Sequence, residues 1–332
     1  MLLCELVESA DPKLEISGIF TDSRKIRKNG IFVCLEGTKD DGHNHIAEAE
    51  KRGAALIVAS HPVISAVPVL YTDRPAETLA GLSERFYQYP AEKLRLIGVT
   101  GTNGKTTVTY LIKAILEAAE KKCGLIGTNE ILIGEKKSDF KSVMPTTPDA
   151  LELSHIFSEM VSAGMEYAVM EVSSQAEKQH RCDGFTFDYG VFTNIGNDHI
   201  GAGEHASFAE YLSCKKKLLR TCRTGIVNRD DKRFPEIIRQ STCRLVTFGC
   251  REKADFMAAD AALDQAPGVL GVSYRVQGAA DFPVRVDLPG LFSVSNSLAA
   301  IAVCAQMGIP EKAMQEALSA VRVRGRCEAV PV

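Results

Sequence analysis

Apolar and polar positions alternate along this chain between the two periods of regular secondary structure. Short unbroken apolar runs at 30–35 and 54–59 read as buried strands, and 44–52 between them reads as a helix. A second helix is expected over 75–89, ended by Tyr89-Pro90, because proline pushes the preceding residue out of helical geometry. Residues 1–90 therefore predict a small N-terminal α/β domain, with its boundary at about Pro90. Another apolar run at 94–100 has the character of a strand buried in a parallel sheet. A helix follows, with apolar residues at Val108, Leu111, Ile112, Ile115 and Leu116, a 3.6-residue period. Strand candidates at 167–172, 187–193, 224–228 and 244–248 alternate with helices. That rhythm predicts an α/β central domain over 91–332, with a mostly parallel sheet flanked by helices. Residues 268–288 look antiparallel, and helices at 295–307 and 310–320 close the region. There is no internal repeat and no low-complexity segment.

Charge narrows the choice of partner. The 332 residues carry a formal net charge of -3, so no general positive field favours nucleic acid. An anionic ligand must be held by local devices, such as a phosphate loop and single arginines. Ten cysteines are scattered without a C-x-x-C pair, which suits free thiols in a reducing compartment better than a zinc site or a disulfide scaffold. The N-terminus shows no basic stretch ahead of a long apolar one, and no run is long enough to span a bilayer. A cytoplasmic protein without membrane insertion is expected, with a monomer as the default.

The most specific chemistry lies at Gly101-Thr102-Asn103-Gly104-Lys105-Thr106-Thr107, between an expected strand and an expected helix. Glycines there let backbone N–H groups turn toward phosphate oxygens, and the helix N-terminus adds its dipole. Lys105 supplies a point charge, and the Thr106 hydroxyl suits Mg²⁺. The strict phosphate-loop pattern wants glycine six residues before the lysine, where this chain has Val99, so the loop is a variant. The bland alternative is a glycine-rich turn with an exposed lysine. Glu171, at the end of an expected strand, is a hard-oxygen Mg²⁺ ligand by type, at the sheet edge where open α/β folds bind ligands. A helix cap or an ion pair is its structural alternative.

Thr-Gly-Thr-Asn-Gly-Lys-Thr-Thr is similar to the ATP loop of the Mur ligases and of folylpolyglutamate synthase. Other segments resemble the MurE branch of the Mur ligases in particular: Thr21-Asp22-Ser23-Arg24, Gly30-Ile31-Phe32-Val33, Asp41-Gly42-His43, Thr146-Thr147-Pro148-Asp149, Glu171-Val172-Ser173-Ser174, Gln179-His180-Arg181, Phe192-Thr193-Asn194 and Asp198-His199. Tyr211 with Lys215 four residues later resembles the segment whose lysine is carbamylated. Gly290 to Asn296 resembles FNxxN, and Gly325-Arg326 resembles the GR that leads into a third domain.

The resemblance implies an ATP- and Mg²⁺-dependent ligase. It would phosphorylate the D-glutamate carboxylate of UDP-N-acetylmuramoyl-L-alanyl-D-glutamate and join it to a diamino acid through an acyl phosphate. Lys105, Glu171, His199 and Lys215 would be catalytic. Residues 101–107 (Gly101, Thr102, Asn103, Gly104, Lys105, Thr106 and Thr107), with Asn296 and Arg326, would bind the nucleotide. Thr106, Glu171, His199 and carbamylated Lys215 would hold the metal. Ser23, Arg24 and His43 would meet the uridine end. Thr146, Thr147, Ser173, Ser174, Gln179 and Arg181 would bind the rest of the substrate, Arg181 by a bidentate grip on a carboxylate. Plainer readings stand beside several of these. His199 can be a structural histidine, Arg181 a surface arginine, and Thr147 or Asp149 a helix cap. Lys215, Lys216 and Lys217 can form a solvated helix face, and Lys216 competes with Lys215 for the special role.

The chain departs from the family pattern in four places. Ser293 stands for asparagine and Gln175 for histidine, and His199 to Lys215 is two residues longer than expected. The sequence stops at Val332, where the resemblance implies a third, amino-acid-binding domain, so either a fragment or a natively short protein is expected. The expectation from that last feature is nucleotide-sugar binding with poor ligation. Alternatives are another Mur ligase, a folylpolyglutamate synthase-like enzyme, or a Mur-like binding or regulatory protein without ligase activity. A P-loop GTPase is disfavoured by the lack of N-K-x-D.

Overall fold

A computed structural model of the chain describes residues 1–7, 13–37, 40–140, 142, 144–201, 203–264 and 271–325. It divides into two compact units. The first comprises Met1–Glu92 together with Asp149–Ser158 and Gln179–Phe185. Its sheet has four strands in sequence order, β1 (Gly18–Phe20), β2 (Gly30–Val33), β3 (Ala54–Ala59) and β4 (Val69–Tyr71), all parallel. Helices α1 (Leu3–Leu6), α2 (Ile46–Lys51) and α3 (Pro75–Phe86) belong to it. The unbroken apolar runs have a direct cause. Ile31, Val33, Leu56 and Val58 enter one core with Leu79 and Leu82 of α3, while Phe32, Ile57 and Ala59 enter another with Ile46 and Ala49 of α2. Side chains alternate across a strand, so two buried faces demand apolar residues at every position. α3 ends at Phe86, three residues short of the expected end, because Gln88 and Tyr89 take left-handed backbone with φ of 60 and 54° before Pro90.

The second unit comprises Lys93–Pro148, Glu159–Lys178 and the described residues from Thr186 on. In chain order its elements are β5 (Arg95–Thr100), α4 (Lys105–Ala118), β6 (Cys123–Ile126), β7 (Ile131–Ile133), β8 (Lys136–Lys137), part of α5 (Ala150–Ser162), β9 (Tyr167–Glu171), α6 (Ser174–Lys178) and β10 (Phe187–Phe192). Then come α7 (Phe208–Lys217), β11 (Cys222–Asn228), α8 (Phe234–Ile238), β12 (Arg244–Gly249), β13 (Phe256–Leu263), β14 (Val272–Gly278), β15 (Phe282–Val286), α9 (Phe292–Gln306) and α10 (Glu311–Ala320). Among the described residues one sheet runs β15-β14-β13-β12-β11-β10-β5-β9-β6-β7-β8. It is parallel from β13 through β6 and antiparallel toward both edges. The parallel heart matches the expected α/β architecture. The β6–β8 meander was not legible, and the antiparallel part begins at Phe256, before the expected 268. α9 starts three residues earlier than the expected 295.

This order positions the site. β5 lies between β9 and β10, with Val99 level with Glu171 and Thr100 level with Phe192. Two strands that come later in sequence thus end on either side of the glycine-rich turn. That is the switch-point crevice where open α/β sheets bind ligands.

Candidate functional site

The turn after β5 is shaped by backbone that needs glycine. Gly101 has φ 145°, and a Cβ there would stand 1.9 Å from the Thr193 Oγ1. Gly104 caps α4 with φ 90°, and a Cβ would lie 2.5 Å from the Asn296 Oδ1. The first N–H groups of α4 therefore open toward a cavity of about 640 Å³. Thr102, Asn103, Gly104, Lys105, Thr106 and Thr107 line it, facing Asn194, Phe292, Ser295, Asn296, Val323 and Gly325. The expected nucleotide residues therefore converge, except that Gly101 supports the turn from behind and Arg326 lies outside the described residues. Ser293, the substituted position, also lines the cavity, with its hydroxyl donating to the Pro289 carbonyl at 2.9 Å.

The Lys105 Nζ donates to the carbonyls of Gly101 and Thr102 at 2.9 and 3.1 Å. Glu171, only 1% exposed, ends β9 beside it. Its Oε1 accepts from the Thr106 hydroxyl at 3.0 Å and from the Thr128 N–H at 2.9 Å, and its Oε2 from the Thr128 hydroxyl at 3.2 Å. An acidic oxygen and a threonine hydroxyl held together at a phosphate loop form a hard-oxygen donor set suited to Mg²⁺. The cap and ion-pair alternatives for Glu171 do not describe these contacts.

Lys215 reaches the same turn from α7. It is 1% exposed, its Nζ donates to the Gly101 carbonyl at 2.8 Å, and the ammonium stands 4.8 Å from the Tyr211 ring centre. Tyr211 in turn shares a hydrogen bond of 2.9 Å with the Thr102 hydroxyl. Burial, and then the charge of Lys105, hold the Lys215 amine well below the usual lysine range. Lys216 and Lys217 are half-buried, so the solvated-face reading does not describe Lys215.

His199 is placed differently. It lies beyond β10 on a loop, its side chain 46% exposed and its φ 54°. Its Nδ1 pairs with the Glu204 carboxylate at 2.9 Å.

Of the remaining expected residues in this unit, Thr147 is fully buried and ties the end of β9. Its hydroxyl donates to the Glu171 carbonyl at 2.9 Å and accepts from the Ser173 N–H at 3.1 Å. It is therefore not a helix cap. Asp149 is one, accepting from the Glu152 N–H at 2.8 Å. The Ser173 hydroxyl caps α6 by accepting from the Ala176 N–H, and Ser174, the first residue of α6, is buried. Thr146, at φ 67°, shares a hydrogen bond with the Thr128 hydroxyl and lines a second cavity of about 360 Å³.

In the first unit, Arg181 is buried rather than on the surface, and the Gln179 side-chain oxygen accepts from its Nε at 3.0 Å. Burial lowers the Arg181 pKa, while the nearby Asp149 opposes that shift. Buried Ser23 donates to Glu48 at 2.7 Å, whereas exposed Arg24 grips its own neighbour Asp22 twice at 2.9 Å. The His43 Nε2 accepts from the Ser60 N–H at 3.0 Å, which leaves Nδ1 as donor to Asp41 at 2.6 Å.

Three contributors escaped the sequence reading of roles. Thr128 holds Glu171, and Asn194 with Thr193 braces the turn. The Asn194 Oδ1 accepts from the Asn103 N–H at 2.9 Å, and the Thr193 hydroxyl donates to the Asn103 carbonyl at 2.6 Å. The Phe192-Thr193-Asn194 segment carried a signal for the last two. Thr128 carried none.

Fold and site together define an α/β protein with a phosphate-loop-like turn at the switch point of its sheet. A family model of the Mur ligase middle domain matches residues 99–304, and one described as Mur ligase family, catalytic domain, matches 15–87. The chain belongs to the Mur ligase family, with the N-terminal and central domains of its fold. It is 39% identical over 327 residues to the UDP-N-acetylmuramoyl-L-alanyl-D-glutamate–2,6-diaminopimelate ligase of Caldanaerobacter subterraneus subsp. tengcongensis, a match covering 96% of this chain and 65% of that protein. The chain thus spans about 65% of the length of the curated relatives it matches. A solved UDP-N-acetylmuramoyl-L-alanyl-D-glutamate–2,6-diaminopimelate ligase shares the fold at TM-score 0.84 and 23% identity, covering 100% of this chain and 69% of that one. So does the MurF ligase of Thermotoga maritima solved in complex with ADP, at TM-score 0.57 and 17% identity, covering 92% and 66%. Among the described residues no helix is long and apolar enough to cross a membrane.

Proposed function

We infer that this chain serves an ATP-dependent carboxylate–amine ligase that extends UDP-N-acetylmuramoyl-L-alanyl-D-glutamate. The acceptor amine comes from a diamino acid, and the named relatives are 2,6-diaminopimelate ligases. One observation carries the reading: Lys105, Thr106, Glu171 and Lys215 meet at a single turn at the switch point of the sheet. ATP and a carboxylate repel each other, and phosphoryl transfer needs mainly positioning and charge neutralisation. Lys105 and the N–H groups of the turn would face the terminal phosphates. Thr106 and Glu171 would hold Mg²⁺, which when bound neutralises phosphate charge. A substrate carboxylate oxygen takes the γ-phosphoryl group, giving an acyl phosphate and ADP. The amine then attacks the acyl carbon, the C–O bond to phosphate breaks, and the nitrogen loses a proton.

Lys215 fits carbamylation. Its neutral amine would add CO₂ and release a proton, and burial beside Lys105 favours the neutral form. The carbamate would add an anionic oxygen at the turn that carries Gly101. His199, whose ring lies 6.0 Å from the Tyr211 ring that Lys215 packs on, would complete the metal site. Thr146, Thr147, Ser173 and Ser174 would line the way to the reacting carboxylate, Gln179 and Arg181 would bind an anionic part of the substrate, and Ser23, Arg24 and His43 the uridine end.

Calorimetric titration of UDP-N-acetylmuramoyl-L-alanyl-D-glutamate with Mg²⁺ present tests this, with UDP-N-acetylmuramic acid as comparison. The dipeptide compound is expected to bind more tightly. Equal or absent binding of both would remove the substrate assignment.

A further inference from the structure

The segment after α10 forms part of the cavity wall, and it is tied down by contacts outside the phosphate loop. Val321 and Val323 are buried while Arg322 and Arg324 point outward, an alternation that marks an extended strap. Arg322 pairs with Asp287 at 2.7 Å. Arg324 Nη1 pairs at 3.0 Å with Glu130, whose side chain is 3% exposed and also accepts from the Tyr110 hydroxyl at 2.7 Å. The neighbouring Asn129 side chain donates to the Arg324 carbonyl, and a Cβ on Gly325 would meet the Asn129 Nδ2 at 2.9 Å. Val323 and Gly325 then line the same cavity as Lys105.

Two of the residues that hold this strap, Asn129 and Glu130, sit on the turn between β6 and β7. The same turn carries Thr128, whose N–H and hydroxyl both donate to Glu171. One four-residue turn, Gly127 to Glu130, therefore touches both the proposed Mg²⁺ ligand and the strap that lines the nucleotide cavity.

We propose that Glu130 and Arg324 form a positioning pair that latches the strap against the cavity and thereby sets its affinity for nucleoside triphosphate. The pair touches neither phosphate nor reacting atoms, so it governs binding and not the chemical step. The inference rests on the nucleotide reading of the cavity given above.

The test uses the whole chain and titrates Mg²⁺-ATP into wild type, Arg324→Glu, Arg324→Lys and Lys105→Ala, with thermal unfolding of each. Arg324 is 67% exposed, so its replacement threatens folding little. Arg324→Glu puts a like charge against a buried carboxylate and is expected to weaken binding about fivefold or more. Arg324→Lys keeps the charge and is expected to restore most of the affinity, a rescue that a purely structural role would not need. Wild-type binding with Arg324→Glu unchanged overturns the latch and leaves the nucleotide site standing. Loss of affinity in Arg324→Glu and Arg324→Lys alike, with lowered melting temperatures, also overturns it, in favour of a structural role. If wild type binds no better than Lys105→Ala, the nucleotide reading itself falls, and the latch with it.

Discussion

Glu171 and His199 both follow strands of the same sheet, yet they are held by opposite means. Glu171 is the last residue of β9, buried, and fixed by Thr106 and Thr128 before any ligand arrives. His199 lies seven residues past β10 on an exposed loop, pinned by a surface pair with Glu204. Exposed pairs contribute about 0–1 kcal/mol, so the loop is held chiefly by backbone, the His205 N–H donating to the His199 carbonyl at 3.1 Å, and by Lys178, which donates to the Glu204 carbonyl at 2.9 Å. One side of the site is preorganised by the sheet. The other rests on an exposed loop held by its own backbone bonds, with the His199 ring 6.0 Å from the Tyr211 ring.

Gly101→Ala attacks the fixed side hardest. Its Cβ would overlap the Thr193 hydroxyl on backbone that already needs glycine. A loss of about 3 kcal/mol is expected, read as a clear drop in melting temperature. An unchanged melting temperature would show that the turn yields, and the contrast between the two sides would disappear.

Glu171→Gln keeps the shape but removes the charge. Mg²⁺-ATP affinity should fall about tenfold or more, with little change for ATP measured in EDTA. Equal losses with and without metal would argue that Glu171 only props Thr106 and Thr128.

Lys215→Met probes the buried amine, in buffer stripped of CO₂. The folded Lys215 pKa lies below the usual 10.5, so between those values the unfolded chain binds the extra proton and stability rises with pH. The methionine variant should therefore melt higher at pH 7, by about 1 kcal/mol, with the advantage shrinking as pH approaches 10.5. A gain that does not change with pH would rule out the neutral-amine account.

His199→Ala should leave stability within about 0.5 kcal/mol of wild type, as exposed sites generally do. The sharper readout is metal dependence. A several-fold rise in the Mg²⁺ concentration needed for nucleotide binding is expected if His199 joins the metal site. No change would confine the metal site to the preorganised side.

The phosphate loop was legible because its signal is local. Glycines at 101 and 104, the lysine and the amphipathic helix α4 lie within one strand–turn–helix unit, where chain neighbours are also spatial neighbours. The two-faced strands β2 and β3 were legible for a similar reason, since burial on both sides removes polar residues from the run itself. The spacing from Tyr211 favoured Lys215 over Lys216, but only three dimensions separated their surroundings. Three lysines in a row look alike until the direction of each side chain on α7 decides which one enters the protein. Thr128 was invisible because its task, holding Glu171 across 43 residues of sequence, exists only once β6 and β9 pair.

The sequence by itself therefore determined the elements with strong periodicity, the family, and the chemical kind of the site. Each of these is carried by residue types and spacings within short stretches. The tertiary structure alone decided that β9 and β10 flank β5, that Glu171 is fixed while His199 stays exposed, and that Arg324 reaches Glu130. Those are contacts between distant segments, and their geometry follows from strand order and packing, which no local pattern encodes.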